Sequence, residues 1–202
     1  MKKENFWQRY GAYVAALVLF VAVACIYCAP ALEGKVIQSG DSTSAAAAVH
    51  ESTEYSKNTG DYTFWTGSMF SGMPNYQIGG GRYEANVWLK PFRKIMLKGH
   101  YSTPWIFIIF FVCFYALMRA FNINKWLSIV GALATGFSSY FFIIVQAGHN
   151  SKTSSIALIS VVVGGFYLIF RKRYGLGVVL TMLFTAIGFG NHPQMSYYLF
   201  MM

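Results

Sequence analysis

The sequence predicts an all-α polytopic membrane protein, on three observations. Hydrophobic residues make up 55% of the 202-residue chain and charged residues only 11%, against roughly 25% charged in soluble domains. The mean hydropathy is +0.43. The apolar residues also fall into successive uncharged runs, more than one soluble core can use.

The elements follow in order. Residues 1–10 carry Lys2, Lys3 and Arg9, and the positive-inside rule makes them a cytoplasmic N-terminus. The first span covers 11–30; its uncharged run would rise about 27 Å as a helix, close to the ~30 Å bilayer core. A secretory signal peptide is the competing reading, with its basic start and small residues near Ala29-Pro30-Ala31. That reading fits less well, since the apolar core exceeds the usual ~7–15 residues. Further spans are expected at 104–121, 126–147, 153–170 and 174–189, and 195–202 opens a sixth, so that the sequence reads as the N-terminal part of a longer protein. Arg119, Lys125 and Arg171-Lys172-Arg173 fall in inner loops; the short outer ones hold only Lys152 and the His192 turn. Ala132 with Gly136, and the Gly164-Gly165 pair, let helices approach closely.

A long extracytoplasmic loop, 31–103, separates the first two spans and holds every acidic residue except Glu4. It opens with a strand-like or turn segment ending at Gly40-Asp41, and a small polar helix is expected from Ser42 to Tyr55. A stretch rich in turn formers and aromatics follows, Trp65 through Gly67-Ser68-Met69-Phe70-Ser71-Gly72-Met73-Pro74-Asn75-Tyr76. Residues 88–98 read as an amphipathic interfacial helix. Trp88, Phe92, Ile95 and Met96 face the lipid, while Lys90, Arg93, Lys94 and Lys98 form a cationic rim that anchors the loop or gathers a lipid-linked phosphate.

Three places carry chemistry. Asp41 sits just beyond the first span, where a carboxylate can accept a proton from a hydroxyl. Gly148-His149-Asn150-Ser151-Lys152 gathers an imidazole, an amide and an ammonium within one short turn. Gly190-Asn191-His192-Pro193-Gln194 adds a second imidazole. Asp41, His149 and His192 are residue types that bind divalent ions, although no spacing among them marks a metal site. Cys25, Cys28 and Cys113 lie within spans, where thiols are usually packing. No phosphate-binding loop, dinucleotide fingerprint or zinc-protease motif is present. The net charge of +9 is accounted for by inner-loop anchors and the interfacial helix, so it does not call for a nucleic acid.

In order, the Gln38-Ser39-Gly40-Asp41 segment, the Gly72-Met73-Pro74-Asn75-Tyr76 stretch, Gly148-His149-Asn150-Ser151-Lys152, and Asn191-His192-Pro193-Gln194 before Tyr197-Tyr198 resemble the N-terminal part of the YfhO-like bacterial membrane proteins, grouped with the GT-C glycosyltransferases. The resemblance covers essentially the whole chain. It implies a GT-C-like helical bundle in the bacterial cytoplasmic (inner) membrane. The implied activity moves a sugar from a polyprenyl-phosphate carrier to an extracytoplasmic polymer or lipid acceptor of the cell envelope. Asp41 matches the family's acidic residue in the first outer loop, a base or metal ligand. His149, Asn150, Lys152, His192 and Gln194 would bind phosphate or sugar. Many relatives carry paired acidic residues there, whereas this chain continues Ser42-Thr43-Ser44, so use of a divalent metal stays open. A multi-span transporter or flippase is the alternative, and would line its route with polar groups near mid-membrane. A scaffold whose outer loop binds envelope proteins is a third.

Overall fold

The computed structural model describes residues 6–37, 39–75, 78, 91, 103–189 and 191–201, and these are mostly helical. Helix α1, Phe6–Tyr27, buries one residue per turn: Ala16, Phe20, Ala24 and, just past its end, Cys28. Spacing of four keeps them on one face. Phe20 meets Phe111 and Tyr115 at centroid distances of 5.5 and 5.8 Å. The rest of α1, including Leu17, Val18 and Ile26, is apolar and exposed. That surface suits a hydrocarbon solvent and would be costly in water.

At the centre stands α5, Thr103–Ala120, with α1, α6 (Lys125–Gly136) and α8 (Asn150–Phe170) packed around it. Helix α9, Tyr174–Phe189, lies along α8. The α8–α9 contact is made by glycines: a Cβ on Gly165 would lie 3.0 Å from the Gly177 carbonyl oxygen, and one on Gly177 2.8 Å from that of Gly165. Gly164 abuts Leu117 and Ala120 of α5 in the same way. These approaches are what small residues at helix crossings permit.

Three helical segments, Tyr10–Tyr27, Thr103–Ala120 and Asn150–Phe170, are long and apolar enough to cross a membrane. The expected single span over 126–147 is instead a pair, α6 and α7 (Ser139–Ala147), bent by 48°, and makes a fourth if counted as one crossing. The break coincides with close packing against α5. Gly136 is so tightly packed that a Cβ there would fall 2.3 Å from the Phe111 ring, and Ser138 is extended at ψ 149°. Phe137, at the break, stacks among Tyr27, Phe107, Phe111 and Phe142, each within 5.8 Å. Helix α9 has 16 residues, about 24 Å of rise, short of a full hydrocarbon core. Helix α10 is Pro193–Met201.

Between α1 and α5 the described residues form small elements. After α2, Ala29–Leu32, come α3, Gly40–Ala48, and α4, His50–Thr59. The one polar helix expected over 42–55 is therefore two, divided at Val49, and Asp41 lies in the first turn of α3 rather than in a turn or strand. Strands β1, Trp65–Thr66, and β2, Met73–Pro74, pair antiparallel. Of the interfacial helix expected over 88–98, all but Pro91 lies outside the described residues.

The bundle has two chemically different ends. Near the start of α1, Arg119 and Lys125 approach the Tyr13 ring at 6.0 and 5.1 Å, and Phe121 meets Tyr167 at 4.7 Å. The Arg171-Lys172-Arg173 turn that closes α8 therefore belongs to this basic end. The opposite end carries the start of α8 and the end of α1.

Candidate functional site

At that opposite end the chain returns to the bundle through Ser39. Its side chain caps α3, accepting from the Ser42 N–H at 3.4 Å and donating to Ser42 Oγ at 2.6 Å. Ser39 is buried against Gly148, the left-handed residue (φ +91°) that ends α7. A Cβ on Gly148 would lie 2.2 Å from Ser39 Oγ. Position 148 thus needs glycine twice, for its backbone angle and for the close approach.

This contact sets Asp41 face to face with His149, the residue after Gly148. Asp41, two places beyond Ser39, puts its Oδ2 3.2 Å from Nε2 of His149. Both side chains remain about half exposed, at 57% and 47%. A carboxylate in a first helical turn also suits the positive end of the helix dipole. The His149 backbone is held on both sides: its N–H donates to the Ile144 carbonyl, and its own carbonyl accepts from the N–H and Oγ1 of Thr153, each at 3.0 Å.

The third sequence segment comes to the same place. Asn191 donates through Nδ2 to the Ser151 carbonyl and to Ser155 Oγ, both at 2.9 Å, tying the α9–α10 turn to the first turns of α8. His192 follows, its Nδ1 accepting from the Met195 N–H at 3.4 Å. Burial holds the His192 imidazole below the ordinary histidine value. A hydrogen bond to its own backbone works the other way, and the Lys152 and His149 charges add to the lowering. Lys152 places its ammonium 5.8 Å from the centre of the Tyr140 ring, a cation–π distance. Asn150 is the first residue of α8.

No known protein family, characterised protein or solved structure matches this chain.

Asp41 and His149 are thus brought into contact, and His192 lies close enough to His149 and Lys152 for their charges to act on it. Gln194 is exposed and donates along its own helix to the Tyr198 hydroxyl at 2.9 Å. Lys90, Arg93, Lys94 and Lys98 lie outside the described residues. Among the described residues no group of three or more His, Cys, Asp or Glu side chains is set to hold a metal ion. Asp41 and His149 supply two donors of the three or more that a protein site normally provides.

Sequence reasoning passed over Ser39, Gly148 and Asn191 as parts of the site. Ser39 had a local signal, a serine immediately before the start of a polar helix. The Gly72-Met73-Pro74 stretch, prominent in the sequence, has a structural job. Phe70, Ser71 and Gly72 are all left-handed, at φ 52°, 59° and 122°, and a Cβ on Gly72 would meet the Trp65 indole nitrogen at 2.8 Å. Asn75, buried, closes the hairpin by donating from its backbone to Phe64 and from Nδ2 to Thr63. Glu51 anchors the hairpin to α4, accepting from Thr66 Oγ1 at 2.7 Å and the Gly67 N–H at 3.0 Å.

At the same end of the bundle, Tyr27, Cys28, Ala31, Val36, Ile37 and Thr103 border a cleft of about 350 Å³, with Lys35 at its edge. Ile37 is four residues from Asp41, so the cleft and the carboxylate are separated by at most about 14 Å of chain.

Proposed function

We propose that this chain carries the donor-side site of a membrane glycosyltransferase of the GT-C type. In this reading it moves a sugar from a polyprenyl-phosphate carrier to an extracytoplasmic polymer or lipid acceptor in the bacterial inner membrane. The observation that carries the reading is the meeting of Asp41 and His149 at 3.2 Å, beside Lys152 and His192, at one end of an apolar bundle.

The chemistry suits these groups. Inverting transfer needs one group to take the acceptor hydroxyl's proton and donors to steady the departing phosphate. The Asp41–His149 pair takes the proton. The Lys152 ammonium and the His192 imidazole, with Asn150 beside them, hold the phosphate and sugar; Lys90, Arg93, Lys94 and Lys98 gather the carrier from the membrane surface. The apolar cleft within about 14 Å of Asp41 suits the carrier's hydrocarbon chain, and a donor already activated on a lipid needs no nucleotide motif. The sequence resemblance to YfhO-like proteins points the same way.

A transporter would need polar groups along mid-bundle. The helix break, the natural place for them, is instead walled by Tyr27, Phe107, Phe111 and Phe142. The test is transfer of radiolabelled sugar from a polyprenyl-phosphate hexose in membranes containing the chain. Asp41→Asn, inserted normally, should lower transfer by about 10²-fold or more. Unchanged transfer removes Asp41 from the mechanism, and no transfer by the wild type removes the enzyme.

A further inference from the structure

Resting on the transferase reading, we infer that His149 is the proton acceptor of the pair and Asp41 the residue that positions it, whereas the sequence reading made Asp41 the base and His149 a donor to phosphate or sugar. Neutral imidazole has one N–H and one lone pair. With Nε2 3.2 Å from Asp41 Oδ2, an ion-pair approach rather than an aligned hydrogen bond, the carboxylate's charge favours the N–H on Nε2, which leaves Nδ1 as the basic nitrogen. Among the described residues, Nδ1 of His149 has no hydrogen-bond partner to occupy it.

Imidazole is the stronger base of the two side-chain types near neutral pH. A carboxylate beside it fixes ring and tautomer and balances the charge that forms. The backbone is built for this: His149 is pinned by Ile144 and Thr153, and Asp41 is carried to it by the Ser39–Gly148 contact. Among the described residues, the titratable groups near the ring are Asp41 from α3 and His192 from the α9–α10 turn, and Lys152 of α8 acts on His192 as His149 does.

In the step itself, His149 Nδ1 takes the acceptor hydroxyl's proton while the hydroxyl oxygen bonds to the sugar's anomeric carbon. The bond from that carbon to the phosphate oxygen breaks, and its electron pair leaves on the polyprenyl phosphate. Asp41 faces the imidazolium that forms.

The experiment is the pH–rate profile of sugar transfer from a radiolabelled polyprenyl-phosphate hexose, in membranes bearing the full chain or its variants. His149→Gln should lose about 10²-fold or more in kcat together with the limb of the profile that rises toward neutral pH. Asp41→Asn should lose kcat with little change in KM and keep that limb, because the base is still present. Free imidazole should restore transfer to His149→Ala, which an unfolded chain could not show. If the wild type transfers sugar and His149→Gln stays within about threefold of it with the same profile, the role assignment fails and the transferase reading stands. The assignment also fails if imidazole restores nothing to a correctly inserted His149→Ala. If the wild type transfers nothing, the transferase reading fails and this inference falls with it.

Discussion

At the residue scale the site depends on which side chains carry charge near neutral pH, and His192 gives a direct test. Burial lowers its pKa in the folded chain below the ordinary 6.5, so between the two values the unfolded chain binds more protons than the folded one. Stability from this group is therefore complete above about pH 6.5 and is lost as pH falls through the folded value. Thermal unfolding in detergent should show a lower Tm at pH 5.5 than at pH 7.5. His192→Asn, which takes up no proton, should have a flatter acid limb; an unaltered pH dependence would show that His192 pays no such protonation cost. The ionisable members of this cluster were legible from sequence because charged and imidazole side chains are rare among apolar runs. Ser39 and Gly148 were not, because their importance lies in touching each other across 109 residues. Gln194 has a partner within its own helix, the Tyr198 hydroxyl four residues on.

At the scale of elements, hydropathy located the apolar helices to within a few residues, since a run that must face hydrocarbon can hardly be written any other way. Where two apolar helices break and bend was not legible. Nothing in the run 126–147 marks Phe137 and Ser138 as a break until Phe111, from another helix, is seen pressed against Gly136. The Gly164-Gly165 pair was legible as a packing signal, and its partner, Gly177, was not. That crossing yields a prediction. Gly165→Val places a branched side chain where even a Cβ would lie 2.5 Å from Thr181 Oγ1 and 3.0 Å from backbone. Overpacking of this kind costs about 1–3 kcal/mol, so the variant should unfold in detergent at lower temperature. Gly175→Ala, in the partner helix α9, meets nothing within 4 Å. It should be neutral or stabilising by up to about 1 kcal/mol. Equal destabilisation by both would mean that the α8–α9 contact is not the source.

For the whole molecule, the separation of charge between the two ends of the bundle bears on how it sits in a membrane. Arg119, Lys125 and Arg171 to Arg173 gather at the end where α1 begins, and Asp41, His149 and His192 at the other. The positive-inside rule was applied to the sequence loop by loop, without knowledge of which loops are neighbours. The packing brings the basic turns together independently of that rule, through aromatic contacts to Tyr13 and Tyr167. If the rule governs this chain, the whole basic end faces the cytoplasm and the Asp41–His149 pair faces outward. Single cysteines can test this in a background where Cys25, Cys28 and Cys113 are replaced by alanine. Ser44 in α3 and Tyr174 at the start of α9 are both exposed and mark opposite ends. Ser44→Cys should react with a membrane-impermeant maleimide on intact cells, and Tyr174→Cys only after the membrane is opened. Labelling of Tyr174→Cys in intact cells, with Ser44→Cys protected, would put the site in the cytosol. An outward lipid-linked donor could not then reach it, because no part of a sealed bilayer lets a sugar phosphate cross to the opposite face unaided.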